Sequence, residues 1–200
     1  MSVDSMVGDA LREIGNIGCG NALTALSMFT SADFKMSVTD IEVIHYSMLT
    51  QKIGNPEDLS VSIALDITGD IDGMFMFISD EPLIHSMLSK LGLDNAKGVL
   101  ALDEMQSSAL LEIGNIVASS YIRALSDISG LKIRISVPSL AVDMLGATLT
   151  LPVLRFAVTE SKIIYVKNNF MIDGHGYSGN MLLMPESSSV DILMKKLGVR

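Results

Sequence analysis

The chain has one cysteine, no tryptophan, five prolines, and 14 lysines and arginines against 23 aspartates and glutamates. A lone cysteine, Cys19, excludes an internal disulfide and fits a reducing compartment. The net charge of -9 argues against a nucleic-acid partner, whose phosphates need clustered lysine and arginine. The longest apolar runs, such as residues 73–78, fall far short of the roughly 20 residues that span a bilayer. No segment shows the charged, apolar and small-residue succession of a signal peptide. The expected setting is therefore cytoplasmic, without membrane insertion. Hydrophobic residues make up 48% of the 200 and charged ones 18%, enough to bury a sizeable core. Fourteen methionines suggest that this core is adaptable.

What the chain does contain is a repeat. Asp9-x-x-x-Glu13-Ile14-Gly15-Asn16-Ile17 returns 99 positions later as Ser108-x-x-x-Glu112-Ile113-Gly114-Asn115-Ile116. Ten of the nineteen positions in 9–27 are identical in 108–126, without a gap. The same register pairs Ser37-Val38 with Ser136-Val137. Near the ends it becomes 106, pairing Gly73 with Gly179 and Lys90-Leu91-Gly92 with Lys196-Leu197-Gly198, so the second half carries seven extra residues. One domain over residues 1–200, built of repeats at about 5–92 and about 103–198, is the organisation this implies.

Helical spacing of Ala10, Leu11, Ile14, Ile17, Ala25 and Leu26 predicts a long helix from Ser5 to about Phe29. Alternating residues 35–47 predict a strand, and Gly54-Asn55-Pro56 a loop. A hairpin follows, with strands at 59–67 and 74–79. Asp80 is placed to cap a helix that stops at Gly92, with Pro82 in its first turn. The second half repeats the plan. Asp103 caps a long helix to Ser129, strands run through 131–171 and 179–184, and a last helix covers 187–197. The extra residues are expected in the hairpin and in a loop at 173–179. The fold class is α+β: pseudo-two-fold halves, each helix, strand, hairpin and helix, sharing a mixed or antiparallel sheet flanked by helices.

On a helix, Asp9, Glu13 and Asn16 line one face, and so do Ser108, Glu112 and Asn115. A solvated face is the bland explanation. Against it, both halves keep Gly-Asn inside a helix, where glycine alone costs about 0.8–1 kcal/mol relative to alanine. Either close approach of another surface or tight packing on the sheet would explain Gly15 and Gly114. The stripe has no nucleophile with a base and is a poor metal cage. A carboxamide donates and accepts hydrogen bonds, so it can orient an attacking water.

The pattern D/S-x3-E-x2-N, twice in one chain, with Pro138 lying 23 positions after Asn115, resembles the CheC/CheX/FliY family of chemotaxis phosphatases. In the first copy the position equivalent to Pro138 is Thr39. The resemblance implies hydrolysis of the aspartyl phosphate of the response regulator CheY. In that chemistry Asn16 and Asn115 position water, while Glu13 and Glu112 pair with a lysine of the regulator. Asp9, Ser108 and Pro138 complete the motif. It implies no cofactor in this chain, with magnesium held by the phosphorylated partner. It also implies a contact with the receptor deamidase CheD around Asp143 and Met144, where an ordinary strand-end aspartate is the plain alternative.

Other signals are weaker. Gly15, Gly18 and Gly20 lack phosphate-loop spacing, Asp66, Asp70 and Asp72 lack the glutamate of a calcium loop, and His45, His85 and His175 lack ligand spacing. Ala118 replaces Cys19 in the second copy, so the thiol reads as a small packed residue. Two alternatives to a phosphatase stay open. One is a binding module that regulates a CheD-type deamidase or docks to the flagellar switch. The other is a structural subunit that assembles through its repeated face.

Overall fold

The computed structural model describes residues 3–32, 34–93, 97–156 and 162–198. The first half consists of α1 (Val3–Thr30), β1 (Phe34–His45), α2 (Leu49–Ile53), β2 (Leu59–Gly69), β3 (Gly73–Ser79) and α3 (Glu81–Lys90). The second consists of α4 (Glu104–Ser129), β4 (Ile133–Ile135), β5 (Ser139–Met144), α5 (Leu145–Thr148), α6 (Thr150–Phe156), β6 (Lys162–Ile172), β7 (His175–Pro185) and α7 (Ser187–Lys196).

Local chemistry sets the helix ends. The Asp80 carboxylate accepts from the Leu83 N–H at 3.1 Å, satisfying one of the donors that a helix start leaves open. Asp103 forms a reciprocal capping box with Gln106. Gly130 closes α4 with φ of 71°, and Gly92, with φ of 68°, follows α3, both in the left-handed region where glycine carries no side-chain penalty.

Among the described residues the strands form one seven-stranded sheet ordered β1-β6-β7-β3-β2, with both β4 and β5 beside β2, and every pairing is antiparallel. The halves exchange strands. β1 pairs with the β6–β7 hairpin of the second half, and β5 pairs with the β2–β3 hairpin of the first. At the join, Met76 lies opposite Leu182, its own counterpart in the 106 register. A pseudo-two-fold axis through that pair relates the halves.

One sheet face and the long helices bury Leu11, Ile14, Ile63, Phe77, Ile113, Val117 and Phe170. The opposite face is covered by the short helices through Leu49, Leu145 and Leu149, which pack on Ile78, Tyr165 and Leu182. The sheet is thus the middle of three layers.

Several expectations need correction. Residues 131–171 are not continuous strand: β4 and β5 are separated at Ser136–Pro138, and 145–156 form α5 and α6, while 157–161 lie outside the described residues. Leucine and threonine make that stretch look extended, but Leu145 and Leu149 bury themselves by turning helical against the sheet. β1 ends at His45, two residues short of the expected strand, and the short helix α2 precedes the Gly54-Asn55-Pro56 loop, which is present as expected. The anticipated loop 173–179 is a two-residue turn, Asp173-Gly174, and then strand. The extra residues do lengthen this hairpin. Five residues lie between the paired Ile67 and Gly73, ten between the paired Asn168 and Gly179.

Candidate functional site

The two polar stripes face outward because their neighbours face in. On α4, Leu110, Ile113, Gly114, Val117 and Ala118 are buried, which leaves Ser108 and Glu112 exposed and Asn115 half-buried. On α1, Leu11, Ile14 and Gly15 are buried while Asp9, Glu13 and Asn16 are exposed. Among the described residues, no protein group hydrogen-bonds to the side chains of Glu13, Asn16, Glu112 or Asn115. Their donors and acceptors are available to a partner.

The glycines are set by packing. A Cβ on Gly114 would lie 2.3 Å from Ile63 Cγ2, so α4 can reach β2 only without a side chain there. On Gly15 it would lie 3.3 Å from Ile41 Cδ1 and 3.5 Å from Val38 Cγ2, a looser fit. Both glycines face the sheet and not a docking partner. Of the two explanations left open for the Gly-Asn pairing, tight packing on the sheet is the one that holds: the glycine serves the core and only the asparagine is presented outward.

Each asparagine overlooks a groove between its helix and a strand. The second groove, about 530 Å³, is lined by Ser108, Leu111, Glu112, Asn115, Ser119 and residues 135–138. The first, about 300 Å³, is lined by Arg12, Asn16 and residues 38–41. Asp9 and Glu13 lie on the same helix face but not in that lining. Both grooves open where the adjacent strand is irregular, at equivalent positions. Pro138 lacks an N–H and separates β4 from β5. At Thr39 the β1–β6 register shifts by a bulge between Val38 and Asp40, and the threonine hydroxyl donates to the Lys167 carbonyl at 3.1 Å. The neighbours diverge accordingly. Val137 is 87% exposed on the rim of the second groove, whereas its counterpart Val38 packs on the core beneath Gly15. Sequence reasoning singled out the helix residues and Pro138. It missed Val137, Leu111 and Arg12, whose role in the grooves depends on strand geometry that no local pattern encodes.

Asp143 and Met144 are exposed at the end of β5, outside both grooves; the Met144 N–H donates to the Asp143 carboxylate at 2.7 Å. Cys19 is buried beside Tyr121, and burial raises both pKa values. The Tyr121 hydroxyl donates to Asn168 Oδ1 at 2.7 Å inside the core. A buried, protonated thiol agrees with a packing role.

A doubled helix–groove site on a strand-exchanged α+β sheet, with acid and amide presented one helical turn apart, is the class of molecule the geometry defines. The CheC-like family model matches residues 6–38 and 105–142, which hold both stripes and Pro138, the first stretch ending one residue before Thr39. The CheY-P phosphatase CheC of Bacillus subtilis (strain 168) is 30% identical over 196 residues, covering 95% of this chain and 93% of that protein. The chain belongs to the CheC family. Among solved structures, FliY of Thermotoga maritima superposes with a TM-score of 0.74 at 22% identity, covering 96% of this chain and 95% of that one. A chain of the CheX-CheY-BeF3-Mg complex from Borrelia burgdorferi superposes at 0.52 with 15% identity, over 85% of this chain and 96% of that one. These two likenesses speak to the fold. No described helix is long and apolar enough to cross a membrane.

Proposed function

We propose that this chain is a phosphatase that hydrolyses the aspartyl phosphate of the response regulator CheY. The observation that carries it is the pair of unengaged Glu-Asn stripes, each on a long helix beside a groove at a break in the neighbouring strand. Membership of a family whose curated relative is named a CheY-P phosphatase supports the substrate. Glu13 and Glu112 dock the regulator by pairing with its lysine. Asn16 and Asn115 hold a water in line with the phosphoryl group, the amide donating to one side and accepting from the other. Asp9, Ser108 and Pro138 shape the two sites. Magnesium belongs to the regulator, whose acyl phosphate it neutralises. Residues 1–200 work as one domain of two repeats in the cytoplasm, where the phosphorylated regulator is made.

The test follows decay of magnesium-bound CheY phosphate with and without this chain. Faster decay that disappears in Asn16→Ala/Asn115→Ala supports the reading, and an unchanged decay rate with the unmutated chain overturns it. A second contact, with a CheD-type deamidase, is proposed at the β5 end, where Met144 is 52% exposed beside Asp143. Asp143→Ala should weaken capture of that partner and leave hydrolysis intact. Unweakened capture would remove Asp143 from that contact.

A further inference from the structure

At one equivalent helix position the two grooves differ in charge. Arg12 lines the first, one helical turn before Asn16, and Leu111 occupies the equivalent place in the second, one turn before Asn115. The Arg12 side chain is 70% exposed, and its guanidinium is steadied by Asp9, whose Oδ1 accepts from Nη1 at 3.2 Å. Among the described residues its remaining N–H groups have no partner. The other charge lining that groove, Asp40, lies 3.7 Å from Lys52 and is already offset. Aspartate thus accompanies arginine in the first copy, and serine accompanies leucine in the second, where there is no cation to hold.

We infer that Arg12 is the specificity-determining residue of the first groove, binding an anionic group of the phosphorylated partner beside Asn16, with Asp9 as its positioning residue. A guanidinium presents donors in a fixed fork that matches phosphoryl and carboxylate oxygens, which an isobutyl side chain cannot do. Both copies keep the glutamate that pairs with the regulator's lysine, and they differ in what stands beside it: the first groove adds a cation, with an affinity that falls more steeply as salt rises, the second adds apolar contact through Leu111 and Val137. This inference rests on the reading of both grooves as regulator sites.

The experiment closes the second groove with Asn115→Arg and titrates the chain with CheY loaded with beryllofluoride and magnesium, a stable stand-in for the acyl phosphate. Thermal melts first show that each variant is folded, Arg12 being exposed and Asn115 half-buried at the groove. Adding Arg12→Leu should weaken binding about tenfold and flatten its dependence on salt, while Arg12→Lys should keep most of the salt dependence. A loss seen only with the loaded regulator assigns the anion to the phosphoryl group, and an equal loss with unloaded CheY assigns it to a carboxylate. An unchanged Kd in Arg12→Leu overturns the inference, as does failure of the Asn115→Arg chain to bind loaded CheY at all. Failure of the phosphatase reading shows separately, as unchanged phosphate decay with the unmutated chain.

Discussion

The two copies of the stripe share their helix chemistry and differ in the strand beneath. In the second copy α4 lies over β2 in the body of the sheet, with Gly114 pressed onto Ile63, and the neighbouring strand parts at Pro138 to leave a groove of about 530 Å³. In the first, α1 lies over β1 at the edge of the sheet, the strand bulges without parting, and the groove is about 300 Å³. Duplication has kept the outward-facing groups and let their supports diverge. Outward orientation of a side chain can therefore be kept in two copies within one chain beside two different backbone devices, a proline gap and a β-bulge.

The sharpest way to break the comparison is to remove the amides. Loss of both in Asn16→Ala/Asn115→Ala should lower the chain's acceleration of phosphate decay on the order of 100-fold, the scale of losing a preorganised hydrogen-bonding group. Asn115→Ala alone should remove the larger share, because its groove is the wider and its motif complete; equal damage from Asn16→Ala would refute that ranking. Stability offers the next test. Gly114→Ala should cost about 2–3 kcal/mol in denaturant unfolding because Ile63 has no room to move. Gly15→Ala should stay within about 1 kcal/mol of the parent, since the neighbouring Ile41 methyl can give way and alanine favours the helix.

A smaller effect is expected at the helix crossing. Tyr121 lies over Gly18, where an added Cβ would sit 2.9 Å from the ring, and its repeat counterpart is the small buried Ala22. Tyr121→Phe leaves the buried Asn168 carbonyl oxygen unpaired and should cost about 1–2 kcal/mol, read from the shift in denaturant midpoint. The smallest effect at neutral pH belongs to base. Burial raises Tyr121 above its ordinary value and pushes Tyr165 up to about 12, and both lie in the second half. A raised folded pKa means that the unfolded chain loses its proton first. The stabilisation is complete below about pH 10 and disappears as pH rises through 12. Melting should be flat from pH 7 to 9 and fall above 10, less steeply in Tyr165→Phe.

Elements governed by neighbouring residues were legible in the sequence. Asp80 and Asp103 announce helix starts and Gly92 and Gly130 helix ends, because a cap satisfies backbone groups within one turn. The α+β class and the repeated stripe were legible for the same reason, since amphipathic spacing is local. The strand order was not. It depends on which hairpin receives β1, a contact between residues more than a hundred positions apart. Nor was α5 legible, since Leu145 and Leu149 at its two ends are rewarded only by the far sheet face. At the site, Glu112 and Asn115 could be named from sequence, but the groove they border could not, because Val137 is turned outward only when β2 has paired with both β4 and β5.

The exchange of strands between the halves also has a consequence in time. Phe34 has its sheet partner in Ile172, so β1 leaves the ribosome 138 residues before its place exists. At synthesis rates of about 5–20 residues per second, that interval is on the order of ten seconds. Throughout it, a twelve-residue strand with one hydrophobic face waits beside α1 without its sheet partner, and the nascent chain must be kept from borrowing a hairpin from a neighbour on the same message.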